Sequence, residues 1–376
     1  MKGNGASAYP VVSGDGRHVA FLSWATNLAP GDTDSTADVY VKDLRTGRLR
    51  WVSDVPDGQG EEVEFGTPSI SADGTRVAFA ALAPDTWPPP QNARLPAFVH
   101  DSRTGRTERI DETADPALRS VPTPVLSGNG RYVTFTGRPA DVSGNRFRVY
   151  VRDLLRDTGS WIDHPLPSGN QSLASPTLSR DGSRVAYVVW DAGTDPGEEH
   201  EGVYVLDRRT GERVRADADC AGDPAENGVS APAISADGGH VVFRWKCLTL
   251  PAGGTSDTGD VFVRDVRRGT LRHVLGPKAG YATHSGRPSA DARRIVFAVY
   301  ESDVGQRPRQ VVYLRDLRTG RVDLISARPD GTVNQRPAAH PSIDARGRVV
   351  AFDGDRLDLQ GENAFSERQA FVVRVR

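Results

Sequence analysis

The chain has almost no net charge and no long apolar run. Its 376 residues include 47 basic and 49 acidic side chains, for a formal net charge of -2. Such a balance gives no electrostatic reason to expect binding to nucleic acid or to an anionic membrane surface. No apolar run approaches the roughly 20 residues that a membrane-spanning helix needs. The composition therefore argues against a nucleic-acid-binding or membrane-spanning protein.

Short catalytic motifs are missing as well. The sequence has no Gly-x-Ser-x-Gly elbow, no His-Glu-x-x-His zinc motif, no phosphate loop and no dinucleotide fingerprint. No stretch has the 3.6-residue apolar period of an amphipathic helix. These absences exclude a propeller fused to a serine hydrolase, and they favour an all-β protein rich in turns. The 39 glycines and 26 prolines are spread evenly along the chain, which fits that reading.

One sequence pattern occurs seven times along the chain. It consists of a proline, a short apolar stretch, a turn, and a strand that ends in an aromatic residue, as in Pro10 to Phe21 and Pro68 to Phe79. The closing aromatics lie 58, 56, 52, 56, 54 and 55 residues apart and are Phe21, Phe79, Phe135, Tyr187, Phe243, Phe297 and Phe352. A period of this length indicates a solenoid, a propeller or an array of repeats.

Each repeat contains four short strands, which we call a, b, c and d. In the first repeat these are predicted near Val11–Ser13, Val19–Leu22, Val39–Lys42 and Leu49–Val52, where apolar residues alternate with period two. Asp-Gly or Asn-Gly joins strand a to strand b, and Asp-x-x-Thr-Gly joins c to d in most repeats. Glycine supplies the positive φ that such tight turns need, so we interpret these residues as structural.

The repeat Ser-x-Asp-Gly-x-x-Val-Ala-Phe…Val-Tyr-Val-x-Asp-x-x-Thr-Gly resembles the TolB-type, WD-like propeller repeat of bacteria, over essentially the whole chain. The resemblance implies a bacterial all-β protein: a seven-bladed β-propeller of four-stranded antiparallel blades. Two repeats depart from the pattern. Repeat six has Ala292 at the turn glycine and Gly286 at the proline, and repeat seven has Arg346 at the turn aspartate. We expect the ring to be less regular there.

We predict a single domain spanning residues 1–376. Its blades cover approximately 6–58, 59–115, 116–166, 167–222, 223–277, 278–331 and 332–376. The pattern provides only six d strands for seven c strands, since the last strand, Phe371–Val375, is of type c. Blade seven is therefore expected to be three-stranded with an exposed edge, or the chain to be a fragment of a longer protein. A preceding segment or a partner peptide would then fill the gap.

Strand direction places the variable d–a and b–c loops on one face, which is where binding sites usually lie on a rigid scaffold. The residues just before strand a are expected to ring the mouth of the central channel on that face. We predict that a ligand binds to members of this ring, namely Tyr9, Thr67, Thr123, Ser175, Ser285 and His340. Small hydroxylic residues suit hydrogen bonding to a polar ligand; alternatively, small residues are needed simply because seven strands crowd an axis.

Several further candidates come from side-chain chemistry. If the protein is an enzyme, its catalytic residues are expected to be His340, His284 and Arg336, with the two histidines as an acid–base or metal-binding pair. The loop carboxylates Asp32, Asp34 and Asp38 form a candidate calcium site, although aspartates in loops commonly close local turns. No cofactor is otherwise required.

The aromatic residues Trp24, Trp190 and Tyr300 follow their closing aromatics by three positions. They either stack on sugar rings or, as we expect, pack between blades.

Two cysteines, Cys220 and Cys247, are the only ones in the chain. Both fall near the same face of repeat five, so we predict a disulfide, with two free thiols as the alternative. A disulfide implies an oxidising compartment, so we expect an extracellular or periplasmic protein whose leader is absent from this sequence. A cytoplasmic location with free thiols remains the alternative.

The sequence favours a non-catalytic binding propeller whose loop face holds a protein, peptide or glycan. The alternative is a lyase or hydrolase with its site in the channel mouth, because propeller enzymes often carry no local motif. No nucleic acid and no membrane span are expected.

Overall fold

A computed structural model describes residues 3–32, 36–53, 67–80, 96–111, 119–139, 146–165, 171–191, 200–218, 230–245, 259–277, 283–301, 309–328, 330–333, 337–355 and 368–375. Within these ranges all regular secondary structure is β-strand, and no helix is long and apolar enough to cross a membrane.

The described residues form 27 strands that group into seven consecutive sheets. Blades one to four contain β1 (Ser7–Val12), β2 (His18–Ser23), β3 (Asp38–Asp43), β4 (Leu49–Trp51); β5 (Ser69–Ile70), β6 (Arg76–Ala80), β7 (Ala97–Asp101), β8 (Arg106–Arg109); β9 (Arg119–Leu126), β10 (Tyr132–Arg138), β11 (Arg148–Asp153), β12 (Thr158–Ile162); β13 (Gln171–Leu178), β14 (Arg184–Asp191), β15 (His200–Asp207) and β16 (Arg213–Arg215).

The remaining strands form blades five to seven. They are β17 (Ser230–Ile234), β18 (His240–Trp245), β19 (Asp260–Asp265), β20 (Leu271–His273); β21 (Thr283–Pro288), β22 (Arg294–Glu301), β23 (Arg309–Asp316), β24 (Val322–Leu324); β25 (Ala338–Ile343), β26 (Val349–Asp355) and β27 (Arg368–Arg374).

Strand order within every sheet follows the chain, and all neighbouring strands are antiparallel. Six sheets have four strands and the last has three, in the order β25-β26-β27. The all-β, seven-bladed propeller with a three-stranded last blade is therefore confirmed. Each sheet is built from one continuous stretch of chain, as the assignment of strands a, b, c and d to one repeat predicts.

Turn chemistry explains why these segments form hairpins. In blade one the Asp15 carboxylate accepts hydrogen bonds from the Ser13 hydroxyl and the Arg17 amide, while Gly16 adopts a φ of 70°. In the c–d turn the Asp43 carboxylate accepts the amides of Arg45 and Thr46. Those two backbone hydrogen bonds lower the pKa of Asp43, since they favour its ionised form. The aspartates of the repeat are thus structural, as expected.

The two exceptional repeats keep their hairpins by local substitutions. Ala292 takes the left-handed conformation of the missing glycine, with a φ of 52°. In repeat seven Asp344 occupies the position of the usual serine, and its carboxylate accepts the amides of both Arg348 and Val349. One carboxylate therefore does what Ser13 and Asp15 do together in blade one, so the a–b turn survives without its usual aspartate.

The hydrophobic core lies between blades. Every closing aromatic is buried and pairs with an aromatic of its own strand c, with ring centroids 5.4–6.3 Å apart. Seven apolar clusters each combine residues of two adjacent blades. One of them joins blade seven to blade one through Val349, Ala351, Val12 and Phe21, so burial of apolar surface closes the ring.

Hydrogen bonds complete this closure at the seam between blades seven and one. The Ser342 hydroxyl accepts the Val12 amide at 3.1 Å and donates to the Pro10 carbonyl at 2.9 Å. At the opposite end of these strands the Ala345 amide donates to the Gly14 carbonyl at 3.0 Å. The first and last blades are thus joined by non-covalent contacts between their innermost strands.

Candidate functional site

A β-bulge interrupts the innermost strand of six blades. The register shifts at the bulge in β1, β9, β13, β17, β21 and β25. Four predicted rim residues, Tyr9, Ser175, Ser285 and His340, adopt φ values of 48–55° there. Such left-handed conformations are uncommon for residues other than glycine, and bulges are frequent beside functional sites, where they redirect a side chain.

The predicted rim residues are accessible to solvent. Thr123 and Ser175 are exposed, while Tyr9, Thr67, Ser285 and His340 are partly exposed. The residue that follows each of them is buried: a proline in five cases and Gly286 in the sixth. The bulge therefore turns one residue per inner strand outwards and the next one inwards. The binding role of these residues stays a prediction.

The seam between blades seven and one brings two rim residues together. The rings of Tyr9 and His340 lie 4.3 Å apart between centroids, tilted by 41°. The Nδ1 atom of His340 lies 2.9 Å from a carboxylate oxygen of Asp353, which is completely buried. The backbone amide of Tyr9 donates to the same carboxylate at 2.7 Å, and so does Nε of Arg368 at 2.7 Å. We call Tyr9, His340, Asp353 and Arg368 the seam cluster.

The seam cluster fixes the chemistry of the histidine. A carboxylate accepts hydrogen bonds, so the proton on the neutral imidazole lies on Nδ1. The Nε2 atom is then an acceptor, on a ring that is 38% exposed. The same arrangement orients a histidine for proton transfer or for accepting a hydrogen bond from a ligand.

Sequence reasoning identified Tyr9 and His340 but missed Asp353 and Arg368. One signal was available for the aspartate. It directly follows the closing aromatic Phe352, where five of the other six repeats have Leu22, Ala80, Thr136, Val188 and Ala298. A carboxylate at a position that is otherwise mostly apolar needs a partner, because a buried unpaired charge is costly.

A second ring of residues lies two positions further along the inner strands. It consists of Val11, Ser69, Val125, Thr177, Ala233, Arg287 and Ser342. Three hydroxyls in this ring accept the amide of the next blade's inner strand: Ser69 from Leu126 at 2.9 Å, Thr177 from Ile234 at 3.3 Å and Ser342 from Val12 at 3.1 Å. Side chains at this position therefore lie between inner strands, around the central channel.

Arg287 is the only charged residue in this second ring. Burial lowers the pKa of its guanidinium group. It donates to the carbonyl of the adjacent Gly286 at 3.2 Å, and among the described residues no carboxylate lies within ion-pair distance of it. A guanidinium remains charged at any physiological pH, so this arginine places a positive charge, which no described carboxylate neutralises, two positions after Ser285 on the inner strand of blade six.

Some predicted residues are not brought into this site. His284 belongs to β21, where it pairs with Ala298, but its side chain lies outside the described residues, as does Arg336. The proposed histidine pair is therefore untested. No group of three or more histidine, cysteine or acidic residues that could hold a metal ion occurs within the described part of the chain.

The calcium candidates have other partners. Asp32 accepts the Tyr40 hydroxyl, and one oxygen of Asp38 accepts Nε1 of Trp51 at 2.7 Å and the Ser53 hydroxyl at 2.6 Å. These bonds tie strand d of blade one to strand c. Asp34 lies outside the described residues, as do Cys220 and Cys247, so the calcium site and the disulfide remain predictions.

Two of the three candidate aromatics do not pack between blades. Trp24 packs against the core cluster of blades one and two, as expected. Trp190 and Tyr300, however, are 49% and 51% exposed. Both lie one residue before the ends of the eight-residue b strands β14 and β22. The interblade interpretation is therefore wrong for these two residues.

Sequence analysis also missed a pocket on the loop face between blades three and four. Its volume is about 380 Å³, and its lining includes Arg148, His164, Gln171 and Arg213. Burial lowers the pKa of His164 to about 4, and its Nδ1 lies 2.9 Å from the Tyr187 hydroxyl. Arg213 donates to the Asp163 carbonyl at 2.6 Å and Arg148 pairs with the Asp163 carboxylate at 3.2 Å. Its polar groups are thus largely satisfied within the protein.

No family model matches the chain, and no curated protein matches it significantly. Solved structures do match over nearly its whole length. The β-propeller domain of the Trilobed protease from Pyrococcus furiosus, which has an open velcro topology, aligns with a TM-score of 0.64 and 14% identity, covering 99% of this chain and 94% of that one. The oligogalacturonate lyase of Vibrio parahaemolyticus aligns with a TM-score of 0.60 and 12% identity, covering 100% and 92%.

A third structure is longer than this chain. The acylaminoacyl peptidase of Pyrococcus horikoshii aligns with a TM-score of 0.60 and 13% identity over 98% of this chain but only 51% of its own length. Identities this low establish the fold alone. They place the chain among β-propellers, and the TolB-type resemblance stays a prediction. Because similar folds occur in a lyase and in peptidases, the fold does not decide between binding and catalysis.

Proposed function

We propose that this protein is an exported, non-catalytic binding propeller that holds a small ligand, or the end of a peptide or glycan, through a negatively charged group at the channel mouth. The observation that carries this proposal is the position of Arg287. It is the one charge in a ring of small and apolar residues, and no described carboxylate neutralises it. A carboxylate matches a guanidinium in geometry and charge, and the pairing is strong where water is scarce.

Neighbouring residues suit the rest of such a ligand. Tyr9 offers an aromatic face, His340 offers an acceptor nitrogen, and Ser285 lies on the rim directly before Gly286 and Arg287. The residues belong to blades one, seven and six, whose inner strands are adjacent. A hydroxyl-bearing acid, such as a sugar acid, would find a partner for its carboxylate, its hydroxyls and its apolar face within this sector.

A panel of small carboxylates, including galacturonate, citrate and glutamate, tests the proposal by isothermal titration calorimetry. We expect at least one to bind, and Arg287→Gln to weaken that binding at least tenfold, since it removes the charge. The control is Arg138→Gln, which removes an arginine from the end of β10 in blade three, outside the seam. Unchanged affinity in Arg287→Gln, or no binding across the panel, would contradict the proposal.

A second candidate function is favoured by the pairing of His340 with buried Asp353. This pair is the arrangement of a general base, and a lyase would use Nε2 to remove a proton from carbon beside a carboxylate held by Arg287. Asp353→Asn separates the two functions. For an enzyme, turnover of an oligogalacturonate substrate should fall far more than its binding. For a binding protein, the wild type shows no turnover at all.

A further inference from the structure

The outer edge of blade seven differs from that of every other blade. In six blades strand c is covered by a fourth strand, while no described strand pairs with the outer side of β27. The difference is visible in the exposure of one strand c residue, the one that pairs with the residue before the closing aromatic of strand b. It is buried in six blades, at Val41, Val99, Val151, Val205, Val263 and Leu314, all at most 6% exposed. The seventh, Val372, is 38% exposed.

The six complete blades show what covers this position. The residue that follows or ends strand d is aliphatic and buried in each: Val52, Ile110, Ile162, Ala216, Val274 and Ile325. Each lies in the same apolar cluster as the strand c residue just compared, between its own blade and the next. The cluster between blades seven and one has no such member, and Val372 is not part of it.

The backbone at this edge has a defined hydrogen-bonding requirement. In five blades the aliphatic residue donates its amide to a carbonyl of strand c, as Val52 does to Val39 at 3.0 Å and Ile325 to Val312 at 2.9 Å. The register of the blades makes Ala370 the counterpart of Val39 and Val312. The carbonyl of Ala370 is therefore placed to accept the amide of an added strand.

A side chain completes the pattern. The residue after the aliphatic one is serine or aspartate in five blades, and in four of them it accepts the amide of the same strand c residue. The bonds are Val39 to Ser53 at 2.9 Å, Ala97 to Asp111 at 3.1 Å, Val203 to Asp217 at 3.0 Å and Val312 to Ser326 at 3.0 Å. An occupant of the blade seven edge would thus satisfy both the amide and the carbonyl of Ala370 by ending in Val/Ile/Ala followed by Ser/Asp.

We propose that the outer edge of β27 is a docking site for an extended segment of a partner protein, which adds as an antiparallel fourth strand and carries a Val/Ile/Ala-Ser/Asp pair at its end. Edge strands with unpaired backbone groups are templates for this mode of recognition, in which main-chain bonds give affinity and side-chain pockets give selectivity. The aliphatic residue of the partner covers Val372 and completes the cluster between blades seven and one. This site is independent of the function proposed for the channel mouth.

The probe is a fluorescently labelled peptide with the sequence Arg-Val-Asp-Leu-Ile-Ser, which is that of residues 321–326 of this chain. In β24 the register places Asp323 opposite Leu314, and Ile325 donates to Val312, so these two amides face strand c. We expect saturable, sub-millimolar binding to the intact protein by fluorescence anisotropy. N-methylation at the isoleucine should weaken it at least tenfold, and the matched N-methylation at the leucine, whose amide faces away, should change it less than threefold.

A pair of protein variants locates the site. Val372→Pro removes an outward-facing amide at the edge and should abolish peptide binding, while Val372→Thr keeps that amide and should retain most of it. Circular dichroism checks that both variants fold. Hydrogen exchange adds a second readout: the amides of Ala370, Val372 and Arg374 should exchange fast in the free protein and slow down when the peptide is added.

Three results would overturn the proposal. One is equal affinity for the two N-methylated peptides, which would mean that no strand is added. Another is slow exchange of the three amides without peptide, because something else would then already cover the edge. The third is a concentration-dependent dimer that Val372→Pro dissociates, which would make a second copy of this chain the occupant.

Discussion

Opposite sectors of the ring are built from the same repeat but differ in their chemistry. In blades three and four the rim carries Thr123 and Ser175, both small and exposed. In blades six, seven and one the rim carries Ser285, His340 and Tyr9, backed by the seam cluster and by Arg287. The same sector contains the two exceptional a–b turns, of blades six and seven, and the three-stranded blade. Departures from a structural repeat are where a function is expected to lie, because regularity alone already provides the fold.

The largest expected effect concerns the seam. Asp353→Ala removes a buried carboxylate that accepts hydrogen bonds from His340, Arg368 and the Tyr9 amide. We expect a loss of about 3–5 kcal/mol in the free energy of unfolding, because three hydrogen bonds to this charged acceptor are lost together and the Tyr9 amide loses its partner. Thr123→Ala on the opposite rim should change it by less than about 0.5 kcal/mol. Urea denaturation measures both, and similar losses would mean that the seam has no special role in closing the ring.

The next effect concerns the opposite sector and depends on pH. Burial lowers the pKa of His164 to about 4, from about 6.5 in an unfolded chain. When the pH falls from 6.5 to 4, His164 therefore takes up a proton in the unfolded chain but not in the folded protein. Stability should fall across that window by about 3 kcal/mol, following 1.36 kcal/mol per pKa unit.

The matched variant His164→Asn should be less stable at neutral pH but should lose most of this slope between pH 6.5 and 4; a smaller slope remains because burial also lowers the pKa of His100. Arg131 holds the pKa of Asp153 down at about 2, below its ordinary value of 3.8. The stability that this ionised carboxylate contributes is lost mainly below pH 3.8, outside the window of His164. A slope that is as steep in His164→Asn as in the wild type would place its origin in another group.

A smaller effect tests the exceptional turn of blade six. Ala292→Gly relieves a left-handed alanine with a φ of 52° and should stabilise the protein by about 0.5 kcal/mol, because roughly 1–2 kcal/mol of relieved strain exceeds the roughly 0.8 kcal/mol lost with a buried methyl group. The opposite substitution in the c–d turn of blade one, Gly47→Ala, introduces similar strain at a φ of 75° where nothing lies within 4 Å of the new methyl group. It should destabilise by about 1 kcal/mol. Thermal melts of the two variants should therefore shift in opposite directions; shifts of the same sign would contradict this account of the turn.

The smallest effect concerns the exposed aromatics. Trp190→Ala should change the free energy of unfolding by less than about 0.5 kcal/mol, because half of the side chain is exposed to solvent. Trp245 in blade five is 2% exposed, and its alanine variant should cost about 3–5 kcal/mol. If Trp190→Ala is as costly as Trp245→Ala, the former residue packs between blades after all.

The fold could be predicted because it depends on local signals that repeat. The Asp-Gly turns and the closing aromatics act within one blade. The roles of Asp73 and Phe79 can therefore be predicted from the sequence of blade two alone. The seam cluster depends on Tyr9 and Asp353, which are 344 positions apart, and on a ring closure that no local pattern encodes. Arg287 was missed for the same reason: its significance comes from six neighbours that lack a charge, not from its own surroundings in sequence.

The most direct measurement is a crystal structure of the protein soaked with the tightest-binding carboxylate of the panel. The account predicts density for the ligand in the sector of blades six, seven and one, with its carboxylate on the guanidinium of Arg287 and the remainder against His340 and Tyr9. Density in the pocket lined by His164 and Arg213, or among the Asp-Gly turns on the opposite face, would contradict the central claim that binding lies where the repeat is broken.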